Sequence, residues 1–132
     1  MIVDASVAFK WIFIEEGSDR AAAFLGRDDV RAPTLLLAEV GNALWKKGLR
    51  GELGDRGAYA AQLGIVASLV TIVDDADVMP RALDMALALE HPIYDCIYLA
   101  VAERDDDRLV SADTRFLGKV QRSEWERLVE TL

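Results

Sequence analysis

"EHPIYDCIYLAVAERDDDRLVSAD", residues 90–113, changes its period partway along. From Ile93 to Ala102 it is apolar on almost every side of a helix, the pattern of a helix buried within a domain. After the charged turn at residues 104–108, "RLVSAD" is a short apolar run bounded by turn residues, which reads as a buried strand. One residue disagrees with its surroundings. Asp95 puts a carboxylate in the first turn of the helix, on the face it shares with Tyr98, Leu99 and Ala102 at spacings of three and four. A carboxylate at that depth needs a partner.

The same alternation extends outward through the chain. Strand-like runs occur at "IVD" near residue 3, "VRAP" near 31, "VTIVD" near 72 and "RLVSAD" near 110, with "WERLVE" near 127 as a fifth candidate. Between them, "SDRAAAFLG", "TLLLAEVGNALWKKGLRG", "RGAYAAQLGIVASL" and "ADVMPRALDMALALE" carry apolar residues at helical spacing. Strands alternating with helices predict an α/β fold: a central, mostly parallel sheet of four to five short strands flanked by helices on both faces. A length of 132 residues, with no repeat and no Gly-, Ser- or Pro-rich linker, predicts one domain over residues 1–132.

Composition narrows the classes. Hydrophobic residues at 52% and charged ones at 29% give a chain that closes a real core. No run approaches the ~18 apolar residues of a membrane span, and the start "MIVDAS" lacks the features of a signal peptide, so a cytoplasmic location is expected. The single cysteine, Cys96, excludes a disulfide framework and lies on the apolar helix, where an inert core thiol is expected. A net charge of −8 disfavours non-specific binding to a polyanion. It does not exclude a nucleic-acid substrate, because acids that bind a divalent ion hide their charge once the ion is held.

In an open parallel sheet, sites form beyond the carboxyl ends of the strands. Asp4 ends the first strand and Asp113 follows "LVSA" in the same way. Asp95 and Glu39 add carboxylates on two otherwise apolar helices, with Asn42 three residues after Glu39 on the same face. Each has a structural alternative: Asp95 and Asp113 suit helix N-caps, and Glu39, Asn42 and Lys46 suit the wet stripe of an amphipathic helix. Asp4 is harder to assign a structural duty. Together, four acids would repel one another unless a cation compensates them. Oxygen-only ligands suit Mg²⁺ or Mn²⁺; zinc fits poorly, because the one histidine, His91, precedes Pro92 at a helix entry and reads as a loop or capping residue. The same scarcity excludes Ser-His-Asp and Cys-His catalysis, leaving metal-assisted phosphodiester hydrolysis as the chemistry that fits.

The ordered set "IVDAS", "APTLLLAEVGNALWK", "HPIYDCIYLAVAE" and "RLVSADTRF" resembles the PIN-domain ribonucleases, and within them the VapC toxins of toxin–antitoxin pairs, nearly end to end. The resemblance implies a metal site of Asp4, Glu39, Asp95 and Asp113, with Ser6, Asn42, Ser111 and Thr114 orienting the carboxylates. Ser111 stands where many relatives carry Thr, and keeps the hydroxyl. The implied activity is Mg²⁺- or Mn²⁺-dependent endoribonuclease cleavage of RNA, and the implied partners are a VapB-type antitoxin and a second copy of the chain.

Candidate RNA contacts are Lys10, Lys46, Lys47, Arg50 and Arg115, although cations near a helix C-terminus also serve its dipole. Trp11, Ile12, Phe13 and Trp45 are assigned mostly to packing, with some of their area available to a groove or dimer face. "VDDAD" at 73–77 and "RDDDR" at 104–108 read as caps and solvated turns. Two other functions compete. A phosphoryl-transfer domain using Asp4 lacks the second acid two residues on and a well-placed lysine. A silent PIN-like binding module would be expected to have lost one of the four acids.

Overall fold

The computed structural model describes residues 1–52 and 54–132. Five parallel strands form one sheet: β1 (Ile2–Val3), β2 (Arg31–Pro33), β3 (Thr71–Val73), β4 (Leu109–Ser111) and β5 (Val129–Thr131), in the spatial order β3-β2-β1-β4-β5. Seven α-helices are seen among the described residues: α1 (Ala5–Ile12), α2 (Ser18–Ala21), α3 (Leu35–Leu49), α4 (Arg56–Leu69), α5 (Met79–Leu89), α6 (Ile93–Arg104) and α7 (Thr114–Val120). Consecutive residues of a strand face opposite sides of a sheet, and both Ile2 and Val3 are fully buried, so β1 is covered on both faces. Right-handed crossovers explain this. The connections from β1 to β2 and β3 lay down α1, α3 and α4, which pack on one another, while the return to β4 lays down α5 and α6. The buried character of α6 follows, since it touches β1, β2 and β4 and buries every residue from Cys96 to Ala102.

The expected α/β architecture is therefore observed, with an all-parallel sheet, and three details depart from the sequence reading. A helix, α1, begins directly after β1, and Asp4 caps it by accepting Val7 N–H at 3.2 Å; the strand-end acid thus has a structural duty after all. "SDRAAAFLG" gives only four α-helical residues before a 3₁₀ turn at Ala22–Phe24. "WERLVE" is mainly a second 3₁₀ turn, Glu126–Leu128, with the strand starting at Val129. Trp11, Ile12 and Phe13 pack against the core as expected, whereas Trp45 stands 57% exposed. Burial pushes the Cys96 thiol up to about 11, consistent with an inert core sulfur. No single helix among the described residues is long and apolar enough to cross a membrane.

Candidate active site

Topology fixes where the site lies. After β1 the chain moves toward β2 and β3, and after β4 it moves toward β5, so these two central neighbours send their connections in opposite directions. Such a reversal opens a crevice at the carboxyl ends of the two strands. Asp4 follows β1 and Asp113 follows β4 at that crevice, while the N-terminal halves of α3 and α6 bring Glu39 and Asp95 toward it.

Each carboxylate is anchored through one oxygen. Asp4 Oδ1 accepts Ser6 Oγ–H at 2.5 Å and Val7 N–H at 3.2 Å. Glu39 Oε2 accepts the phenol of Tyr98. Asp95 Oδ2 is bonded to His91 Nε2 at 2.5 Å, and Asp113 Oδ1 accepts the N–H groups of Arg115 and Phe116 at 2.9 and 3.0 Å. Among the described residues, the second oxygen of Glu39, Asp95 and Asp113 has no hydrogen bond from the protein, and the Ser111 hydroxyl adds a further hydrogen bond to Asp4. An anchored oxygen fixes the rotamer, and in the first three the other oxygen is presented outward.

Three of the four acids sense one another. Asp4 is only 4% exposed, and burial pushes its carboxyl up to about 6, with the charge of Asp95 adding to the shift and the hydroxyls of Ser111 and Ser6 opposing it. Burial likewise raises Glu39, against the Tyr98 hydrogen bond, and both Asp95 and Asp4 push it further. Tyr98 is itself raised by burial and by the Glu39 charge, so it stays a phenol and a donor. Asp113 is held as the N-cap of α7.

The expected supports divide in the same way. Ser6 sits at the centre of a small network: besides Asp4 it lies 3.5 Å from Ser111 Oγ and accepts Ala112 N–H at 2.8 Å, while Ser111 Oγ accepts Asp113 N–H at 3.0 Å. One chain of hydroxyls therefore ties the ends of β1 and β4 together. Asn42 is exposed and lines a cleft of about 330 Å³ with Glu39, Leu35, Ala38 and Tyr94. Thr114 is exposed and lines a separate pocket with Lys10 and Arg20, and among the described residues its hydroxyl makes no hydrogen bond to a carboxylate.

Donor chemistry fits a hard divalent cation: buried and half-buried carboxylate oxygens, no thiolate, and charges that repel without a cation. Among the described residues, no three Asp, Glu, His or Cys side chains are already drawn to one ion-binding point.

Two residues at the site were not singled out by sequence. Tyr98 was assigned to packing, and His91 to a loop or cap. His91 does lie in the loop between α5 and α6, as expected, and its side chain is in addition only 6% exposed and bonded to Asp95. The four-residue spacing between His91 and Asp95 was the available signal, obscured by the intervening Pro92.

A five-stranded parallel sheet whose switch point gathers carboxylates from two strand ends and two helices defines a class, and a model of the PIN domain matches residues 1–120. The chain belongs to the PIN-domain family. Within it, the chain is 30% identical over 124 residues to Ribonuclease VapC3 of Pyrobaculum aerophilum, covering 90% of this chain and 93% of that one. A solved structure from the same organism is 28% identical with a TM-score of 0.67, covering 89% of this chain and 77% of that one. A toxin–antitoxin complex from Klebsiella pneumoniae shares the fold with a TM-score of 0.70 at 14% identity, covering 98% and 95% of the two chains.

Proposed function

We propose that this chain is a VapC-type toxin, an endoribonuclease that hydrolyses RNA phosphodiesters with a divalent cation held by Asp4, Glu39 and Asp95. The observation that carries this is the set of three mutually repelling carboxylates at the switch point, each held by hydrogen bonds from neighbouring side chains. Asp113 turns one anchored oxygen to the α7 amides and contributes its other oxygen at the rim. Mg²⁺ or Mn²⁺ bound there supplies a water of lowered pKa and charge stabilisation for in-line displacement at phosphorus. Ser6 and Ser111 hold the β1 and β4 ends in register, Tyr98 holds Glu39, and the half-buried setting limits competing solvent.

RNA is gripped by cations not already committed to acids. Lys10 is paired with Glu15 at 2.8 Å, Lys47 with Glu52 at 3.2 Å, and Arg50 with Glu52 at 3.5 Å. Lys46 and Arg115 have no ion-pair partner among the described residues, and of the five candidates these two are assigned to the substrate. The chain acts in the cytoplasm as a homodimer held by a VapB-type antitoxin, as the resemblance to VapC toxins implies. An apolar groove lined by Trp45, Leu49 and Tyr59 supports a protein partner of that kind.

The test is incubation of antitoxin-free protein with end-labelled transfer, ribosomal and messenger RNAs in Mg²⁺, Mn²⁺ or EDTA, beside folded Asp95→Asn. Discrete cuts that require metal and fall at least about a hundredfold in the variant are expected. A fully active Asp95→Asn protein, or cutting unaffected by EDTA, would remove the assignment.

A further inference from the structure

His91 lies between α5 and α6, outside the helix that carries Asp95, and three observations fix it there. Its backbone N–H donates to Ala86 O at 3.0 Å. Its ring packs against Phe116 of α7, with centroids 5.0 Å apart and planes tilted by 41°. Its Nε2 lies 2.5 Å from Asp95 Oδ2. The other ring nitrogen, Nδ1, is buried with no hydrogen-bond partner among the described residues.

That asymmetry settles the direction of the bond. A proton carried on Nδ1 alone would bury an unmatched N–H and set the Nε2 lone pair against a carboxylate oxygen. A proton on Nε2 makes the contact favourable, so His91 donates and Asp95 accepts. Histidines commonly enter metal sites as ligands, but here the ring points its only partnered nitrogen at a ligand candidate and has Phe116 against it.

We propose that His91 is a positioning residue for Asp95: it pins Oδ2 so that Oδ1 faces the cation, without itself touching metal or RNA. The inference rests on the nuclease reading above. It makes α6 the element that presets two ligands, since Tyr98 from the same helix pins Glu39 and His91 from its entry pins Asp95. The ring is anchored by α7, whose N-cap is Asp113, so the bond also couples the Asp95 and Asp113 sides of the crevice.

Variants separate the donor from the packing. A glutamine amide places its nitrogen near the imidazole Nε2, an asparagine amide near Nδ1, and phenylalanine keeps the ring with no donor. Mn²⁺ binding to the full chain is measured by calorimetry, with circular dichroism to confirm the fold and kcat and KM for RNA as a second readout. His91→Phe and His91→Asn should weaken Mn²⁺ about tenfold, while His91→Gln stays close to wild type. The nuclease should lose apparent metal affinity in parallel, with KM for RNA at saturating metal unchanged. Should His91→Phe fail to fold, the Gln and Asn pair still decides the matter. Wild-type affinity in all folded variants overturns the positioning role. So does tighter binding in the donor-free variants, which would make His91 a competitor for Asp95. A wild-type chain that binds no Mn²⁺ overturns the nuclease reading and this inference together, whereas metal binding that is indifferent to residue 91 overturns only this one.

Discussion

The two edges of the sheet carry similar acids and treat them in opposite ways. At the amino edge, Asp107 accepts from the Met1 ammonium at 2.5 Å, from Arg31 Nη2 at 2.8 Å and from Arg108 N–H at 2.7 Å, while Arg31 Nη1 reaches Asp105 at 3.0 Å. Burial alone would raise Asp107, yet these donors outweigh it and hold the carboxyl at about 2. At the carboxyl edge, Asp4 is more deeply buried, meets the charge of Asp95 and is raised to about 6. Among the described residues, no lysine or arginine is ion-paired to Asp4, Glu39 or Asp95. One edge neutralises its charge within the chain and gains stability. The other leaves its charge uncompensated, which costs stability and keeps oxygen donors available, the usual mark of a functional site.

Asp4→Asn sets the two edges apart most strongly. It should abolish cleavage by about a hundredfold or more. It should also stabilise the metal-free protein at pH 8, read as a higher urea midpoint. A loss of stability comparable to an ordinary core lesion would break the contrast, because it would mean that the charge at residue 4 supports the fold.

The pH dependence of stability in EDTA should separate the edges next. Asp4 has a folded value, about 6, above its ordinary 3.8, so its favourable contribution is complete below about pH 4 and is lost as pH rises through about 6. The shift corresponds to about 3 kcal/mol at most. Asp107 runs the other way: its contribution, about 2 kcal/mol, is present above about pH 4 and lost as pH falls through about 2. Asp4→Asn should flatten the slope between about pH 4 and 7, and Asp107→Asn the slope below about pH 4. Urea midpoints across that range check both, and Mg²⁺ at pH 7 should restore stability to wild type but not to Asp4→Asn.

At the amino edge, Arg31→Ala leaves Asp105 and Asp107 without their shared guanidinium. Partial burial puts the expected loss between a surface pair and a buried one, about 2 kcal/mol, with cleavage by the folded variant unchanged. Loss of activity at full stability would contradict the assignment of this edge to structure.

The contrast was half legible in the sequence. Asp4 and Asp113 stand at the ends of apolar runs, and Asp95 interrupts an apolar helix, so local period was enough to mark them. "RDDDR" was read as a solvated turn, because nothing local says that Asp107 meets Met1 and Arg31; only the β2-β1-β4 adjacency brings together residues 106 and 76 positions apart. α1 was hidden for a related reason. Ala5 to Ile12 carries β-branched and aromatic residues that blur its start, and the cap that marks it is the same Asp4 already read as a strand end. Tyr98 was hidden by being right on two counts, since it is both fully buried in the core and a donor to an acid 59 residues away.

That double role makes Tyr98→Phe the smallest and sharpest test. The substitution keeps the ring that fills the core beside β1 and removes only the hydroxyl, so its packing cost is small. What changes is Glu39, which loses its donor while remaining half-buried near two other acids. If the carboxyl edge is organised for a cation, Glu39 becomes free to rotate, and the loss should be about 1 kcal/mol of stability at pH 7 with a tenfold weakening of Mn²⁺ binding. If the hydroxyl serves only to satisfy a buried acid, the stability loss appears and the metal affinity stays put. The two readings differ in metal affinity alone, which is why the measurement must be made on binding and not on melting.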